Sequence, residues 1–315
     1  MKENCYNQDK LNNKEPAVEI KREGYIKFGD VIESFVTMDK ENSEKVLGQF
    51  ISTPVTEGDL IGKYTFGDKN YAFLRYIPNE KLISILPVIA LKKEGNEFET
   101  STLVLEGAEH AVTLKSITPG NEPYKGWFNV EMNENLEVPF AVSNPYFGLQ
   151  ATKVKPEQKI NMYLAGLSLS LEKTPKEPLK ISQGGMYEMA LKDFLEAHPD
   201  KTKADFPYVL LSLERFHALL PGSCLDTAEY QGDIIEMKEL QFMDYPVYHL
   251  KVMVWEDNFC LDIYAPKHSF EDEKYIPKVG DNIRGVMWLT GYLAEKKINP
   301  LDRFIGKDED CELVD

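Results

Sequence analysis

The sequence predicts an α+β chain that is mainly β, in which a small β unit occurs twice behind a mixed N-terminal domain. Three observations predict it. From Asp59 onward, short stretches rich in Ile, Val, Tyr, Phe and Thr alternate with turn chemistry such as Gly67-Asp68-Lys69-Asn70 and Lys93-Glu94-Gly95-Asn96. Residues 111–173 and 233–296 can be laid side by side in the same order of strands and turns. Between them lies a stretch with helical spacing.

Taken in order, residues 1–24 are polar and rich in Lys and Glu, which predicts a loose arm. Phe28, Val31, Ile32, Phe35 and Val36 then follow the i, i+3, i+4, i+7, i+8 spacing of one helical face, with Asp30 and Glu33 resembling a capping box. The stretches 60–66, 70–77, 82–91 and 97–105 read as strands, so 25–107 is expected to be a mixed α/β domain. Leu82–Leu91 is the longest apolar run. It is about half the length of a membrane span and is interrupted by Pro87.

The repeated unit opens with an alternating strand, Val112, Leu114 and Ile117 in one copy and Ile234, Glu236 and Leu240 in the other. A proline beside an aromatic follows (Pro123-Tyr124; Tyr245-Pro246). Next come a second strand (127–132; 250–255), an acidic turn (Asn133-Glu134-Asn135; Glu256-Asp257-Asn258) and a third strand (136–142; 259–265). In the last strand Tyr163-Leu164-Ala165-Gly166 matches Trp288-Leu289-Thr290-Gly291. The offset between the copies drifts from 122 to 125.

The close of the second copy, Val279-Gly280-Asp281-Asn282-Ile283-Arg284-Gly285-Val286-Met287-Trp288-Leu289-Thr290-Gly291, resembles the final part of an OB fold. The first copy is less similar, with Pro156-Glu157-Gln158-Lys159 where the second has the Gly-Asp turn. The resemblance implies two OB-like five-stranded barrels at 108–175 and 231–300 and no particular function. The connector at 176–230 is expected to hold two helices that pack on a barrel. One carries Tyr187, Ala190, Leu191, Phe194 and Leu195. The other is capped by Asp205 and carries Val209, Leu213, Phe216 and Leu220. An acidic tail, 301–315, ends the chain.

The formal charge is −16, with the first copy neutral and the second at −5. Such a field opposes phosphate backbones and favours a basic or neutral partner. The N-terminus shows no apolar signal region and the four cysteines are scattered, which predicts free thiols in a cytoplasmic protein. No metal-ligand spacing, Walker loop, GxSxG or GxGxxG occurs, so no metal or cofactor is expected. His217 and Cys260 are expected to be structural, Cys224 lacks any sign of a partner base, and Gly184-Gly185 reads as a turn.

The expected function is non-enzymatic binding of a protein or peptide, with a basic one complementing the acidic field. Two alternatives stand beside it: an enzyme assembled from distant residues, and single-strand nucleic-acid binding by the second copy. The latter would use Trp255, Tyr264, Trp288 and Tyr292 as stacking rings with Lys251, Lys267 and Arg284 on phosphates. His268 lies where the third strand leaves the barrel, where modules resembling this one contact ligands. The binding set is thus Trp255, Tyr264, Lys267, His268, Arg284 and Tyr292.

Overall fold

The computed structural model describes residues 24–79, 81–132, 139–214, 216–255 and 259–294. The acidic turns at 133–135 and 256–258, the arm before Gly24 and the tail at 301–315 lie outside the described residues. Within them the chain is mainly β, as its β-branched and aromatic stretches require.

α1 (Phe28–Glu33) buries Val31 and Ile32, and Phe35 just beyond it is also buried. Asp30 is its third residue rather than its cap, and its carboxylate accepts the Lys27 N–H at 2.8 Å. A second helical stretch follows: α2 (Ser43–Leu47), a π turn, and α3 (Thr53–Glu57). Four antiparallel strands, β1 (Asp59–Phe66), β2 (Lys69–Arg75), β3 (Ile83–Leu91) and β4 (Glu97–Leu105), then form a sheet in chain order. The apolar run 82–91 is explained by β3, which is covered on both faces. Ile83 and Ile85 join the core built on α1, while Leu86, Val88 and Ala90 join one containing Tyr124 and Tyr146.

The remaining large sheet has nine strands. β5 (Ala108–Pro119), β6 (Gly126–Glu131), β7 (Phe140–Ser143) and β8 (Gln158–Lys173) belong to the first copy. In the connector, β9 (Leu179–Ile181) pairs with β10 (Val209–Leu211) as a separate two-stranded sheet. After β11 (Ala218–Pro221), the second copy supplies β12 (Thr227–Phe242), β13 (Tyr245–Trp255), β14 (Phe259–Pro266) and β15 (Asn282–Leu293).

The pairings close two rings of five strands, and the rings are not separate. In the first ring β5, β6 and β7 are followed by β15, which lies parallel to β7, and then by β8, which returns to β5. In the second, β12, β13 and β14 are followed by β8, parallel to β14, and then by β15, which returns to β12. Each copy therefore completes its ring with the last strand of the other, and one apolar core runs through both.

The two copies are related by a local two-fold through the β8–β15 pair. Ala165 faces Thr290, Leu164 faces Gly291 and Gly166 faces Leu289, so the residues that match in sequence exchange places across the ladder. Both first strands carry a register shift at the same point, between Leu114 and Ser116 and between Ile234 and Glu236. Glu157 and Gly280 occupy equivalent turns: their N–H groups donate to Leu114 O and Ile234 O, and both have positive φ, +62° and +88°. Glycine accepts that conformation without strain, and the glutamate of the first copy does not.

These contacts correct the sequence alignment in two places. Leu114 matches Ile234, two residues from the expected partner, and Phe128 rather than Trp127 matches Leu250. A slip of two preserves the inward and outward sides of a strand, and adjacent Trp127 and Phe128 leave no alternation to set the second.

The connector departs from expectation. α4 (Phe147–Gln150) lies within the first copy, and α5 (Gly185–Ala197) is the one predicted connector helix that forms. It buries only Tyr187 and packs on its own outgoing chain: Phe194 and Phe206 stack at 4.8 Å, and Tyr187 OH donates to Phe206 O at 2.8 Å. The predicted second helix is absent, because strand partners outcompete its helical spacing. β10 pairs with β9, β11 pairs with β12, Leu219 is buried, and Phe216 and Leu220 are exposed. Asp205 is the third residue of a single turn whose cap is Thr202, and its carboxylate accepts from Thr202 N–H.

Reciprocal closure has a direct test. Cutting the chain in the exposed segment Ser182–Gln183 leaves each part with a ring that lacks one strand. Co-expressed parts are expected to purify together at one to one, and each alone to aggregate through its open sheet edge. Two parts that are separately soluble and monomeric would contradict the exchange.

Candidate functional site

The most constructed polar feature is the carboxylate of Asp226, which stands in the turn leading into β12. Its Oδ2 accepts from Trp127 Nε1 at 3.1 Å and from Trp288 Nε1 at 3.0 Å, and its Oδ1 accepts from Ile26 N–H at 3.0 Å. The adjoining turn is braced by Thr227, whose Oγ1 accepts from Cys224 N–H and donates to Cys224 O. Leu289 N–H donates to Asp226 O, which places the turn against the shared strand β15. Burial pushes the Asp226 carboxyl above its usual range, an effect only partly offset by the three donors.

Above this carboxylate lies a cavity of about 330 Å³ between the N-terminal sheet and the first ring, with Trp127, Trp288, Tyr124, Glu122 and Ser101 in its lining. Tyr25 packs on Trp127 at 5.2 Å between ring centroids. Tyr124 OH donates to Glu99 Oε2 at 3.2 Å, and burial together with that carboxylate raises its phenol far above the usual range. Glu122 Oε1 lies 3.6 Å from Lys125 Nζ. Its other oxygen, Oε2, is buried with no hydrogen-bond partner among the described residues, and so is Ser101 Oγ, in a residue only 2% exposed. An acceptor and a hydroxyl left open beside aromatic faces suit a ligand that donates hydrogen bonds and carries positive charge.

The residues expected to bind are mostly dispersed. Tyr264 is completely buried, stacks on His249 at 4.8 Å and donates to Glu106 O at 2.6 Å, so it presents no face to a base. Tyr292 meets the same residue, donating to Glu106 Oε2 at 2.7 Å, which brings these two together. Trp255 ends β13 half-buried, and Arg284 pairs with Glu172 at 2.6 Å. Lys267 and His268 lie on an exposed turn, where His268 Nε2 sits 3.2 Å from Thr37 Oγ1. Trp288, expected either as a stacking ring or as core, is buried against Asp226.

The remaining polar side chains have structural partners. His217 stands on a loop and pairs with Asp233 at 3.1 Å. Burial opposes ionisation of Asp262, yet His249 at 2.8 Å and the Ala108 N–H at 2.7 Å hold its carboxyl below the usual range. Cys260 is half-buried, and burial pushes its thiol up, away from the nucleophilic form. Among the described residues no group of three or more His, Cys, Asp or Glu could hold a metal ion, and no helix is long and apolar enough to cross a membrane.

Sequence reasoning passed over Asp226, Glu122 and Ser101. The one available signal was Trp127 and Trp288, two indole N–H donors in strands, each of which needs an acceptor when buried. Comparison with known proteins found no matching family model, no significantly similar curated protein and no significantly similar solved structure.

Removing the Asp226 acceptor orphans three donors at once, two of them buried indole N–H groups. D226A is expected to lower unfolding stability by roughly 3 kcal/mol, read by denaturant titration with tryptophan fluorescence. D226N keeps part of the acceptor capacity and should lose less. Because the folded-state pKa lies above the unfolded one, ionising Asp226 costs stability as pH rises from about 4 toward 7. The stability difference should therefore shift toward D226N over that range, and a drift in the other direction would contradict the assignment.

Proposed function

We propose that the chain is a non-enzymatic binding protein. Its two OB-like modules and the N-terminal sheet form a surface for a basic segment of a protein partner, and a lysine or arginine side chain of that partner enters the cavity over Asp226. The observation that carries the reading is a pair of buried atoms with no hydrogen-bond partner among the described residues, Glu122 Oε2 and Ser101 Oγ, on two residues that line that cavity. Leaving such groups dry and unpaired costs about 1–3 kcal/mol each, and an incoming ammonium or guanidinium restores both hydrogen bonds.

The surroundings fit a cation. Tyr124 and Trp127 are among the cavity's lining residues, and an indole that donates its N–H to a carboxylate gains electron density in the ring, which strengthens its pull on a cation. The net charge of −16 steers a basic partner toward the protein and speeds its encounter. The same charge weighs against a nucleic-acid strand, and with Tyr264 and Trp288 enclosed the second module lacks two of its four proposed stacking rings. The tandem five-stranded rings are what an OB-like pair supplies: rigid frames with loops and seams available for recognition.

The test is calorimetric titration with a short arginine-containing peptide at low and at physiological salt. Saturable binding is expected, weaker at the higher salt, and E122Q is expected to lower affinity tenfold or more with no change in melting temperature. Equal affinity for a peptide carrying citrulline in place of arginine, or for E122Q, would overturn the proposal.

A further inference from the structure

The segment between β8 and β11, residues 174–217, leaves most of its apolar surface uncovered. Of its large apolar side chains only Tyr187 and Leu213 are buried, while Leu179, Met186, Met189, Tyr208, Leu210 and Phe216 are exposed. Those six belong to the sixteen exposed large apolar side chains among the described residues, a concentration that marks this segment as an interaction surface. Its two strands, β9 and β10, pair only with each other, so each keeps one edge with no strand beside it among the described residues. A two-stranded sheet is below the size that is stable by itself, and further strands stabilise it.

The other open edges are guarded. β1 has a register break between Leu60 and Gly62 and carries Asp59 and Lys63. β4 carries Glu97 and Glu99, and β11 ends in Pro221. Bulges, charges and prolines of this kind deter strand addition. β9 has Lys180 at its centre, which would stand against the same lysine if β9 paired with a second β9. β10 is Val209-Leu210-Leu211, with no charge, no proline and no register break, and Leu210 is 55% exposed.

Charge selects the occupant of that edge. Residues 174–217 hold seven Asp and Glu against six Lys and Arg, a net charge of −1, which leaves −15 for the rest of the chain. Two copies of an acidic chain repel each other, and they repel least where this segment meets itself. A two-fold axis through an edge strand pairs it with its own copy in the antiparallel sense, and both partners then present the same patch. We infer that the protein forms a two-fold dimer through β10, with Leu210 opposite Leu210 of the second copy and Val209 opposite its Leu211. The sheet that results has the strand order β9-β10-β10-β9.

Sedimentation equilibrium of the full chain over about 1–200 µM, the range of a small interface, tests the inference. A reversible monomer–dimer equilibrium is expected. It should strengthen as salt rises, because screening relieves the mutual repulsion, whereas arginine-peptide binding weakens. L210K sets two ammonium groups against each other at the two-fold and should weaken association at least tenfold, with peptide affinity unchanged. A cysteine pair supplies a second measurement, in a chain whose four native cysteines are replaced by serine. L210C is expected to oxidise to a disulfide-linked dimer, since residues directly opposite bring their Cα atoms about 5 Å apart. L179C, also at an exposed position, lies at least about 14 Å from its copy across three strand spacings and should stay monomeric. Should L210K fail to fold, the cysteine pair decides. The inference is overturned by a monomer across the whole range, by a dimer that L210K leaves intact or that weakens as salt rises, or by equal cross-linking of the two cysteine variants.

Discussion

The antiparallel ladder between β8 and β15 is the constraint on which the rest of the molecule depends. A five-stranded ring is needed to satisfy the edges of a small sheet, and each copy of the repeat supplies only four strands of its own. The deficit is met by length. Each last strand is long enough to serve its own ring with its first part and the other ring with its second: 158–164 of β8 pair with β5, and 165–167 pair with β14. The close approach of the two strands at the crossing favours small residues. A Cβ on Gly291 would lie 2.6 Å from Tyr163 O.

From that crossing the other features follow in sequence. Because β15 belongs to both rings, Trp288 is carried to the border of the first ring, where its indole reaches Asp226 beside Trp127. Because Asp226 also holds Ile26, the segment leading into α1 is fastened to the same point. Two cavities lie along the seam between the N-terminal sheet and the rings, one with Glu122 and Asp226 among its lining residues and one with Tyr146, Tyr163 and Tyr292. Seams between packed units are where concave surfaces arise with little cost to the core, since neither sheet has to be interrupted to make them.

Much of the local structure was legible in the sequence. The face of α1, the doubly covered β3, the four strands of each copy and α5 all follow from apolar spacing, and the match of Tyr163–Gly166 with Trp288–Gly291 marks the two-fold itself. Periodicity says which side of a strand is covered and is silent on which strand lies alongside, so the exchange of closing strands was not readable. The missing helix after Asp205 shows the same limit, since Val209, Leu213, Phe216 and Leu220 keep helical spacing while backbone pairing with β9 and β12 decides the outcome. The candidate site was hidden for a different reason. Asp226 lies 99 residues from Trp127 and 62 from Trp288, and a lone aspartate carries no mark of the donors that will surround it.

The two-fold at Ala165 and Thr290 also bears on how such a chain can diverge. Copies that folded separately could gain or lose residues anywhere in their loops, and here that freedom has been used, since matched positions differ by 120 at Leu114 and Ile234 and by 125 at the crossing. Around the crossing itself the halves are bound to each other's spacing: a deletion in one long strand would misalign two rings at once and could be rescued only by a matching change in the other. Distant kin of this chain should therefore keep these two segments in step while everything around them wanders.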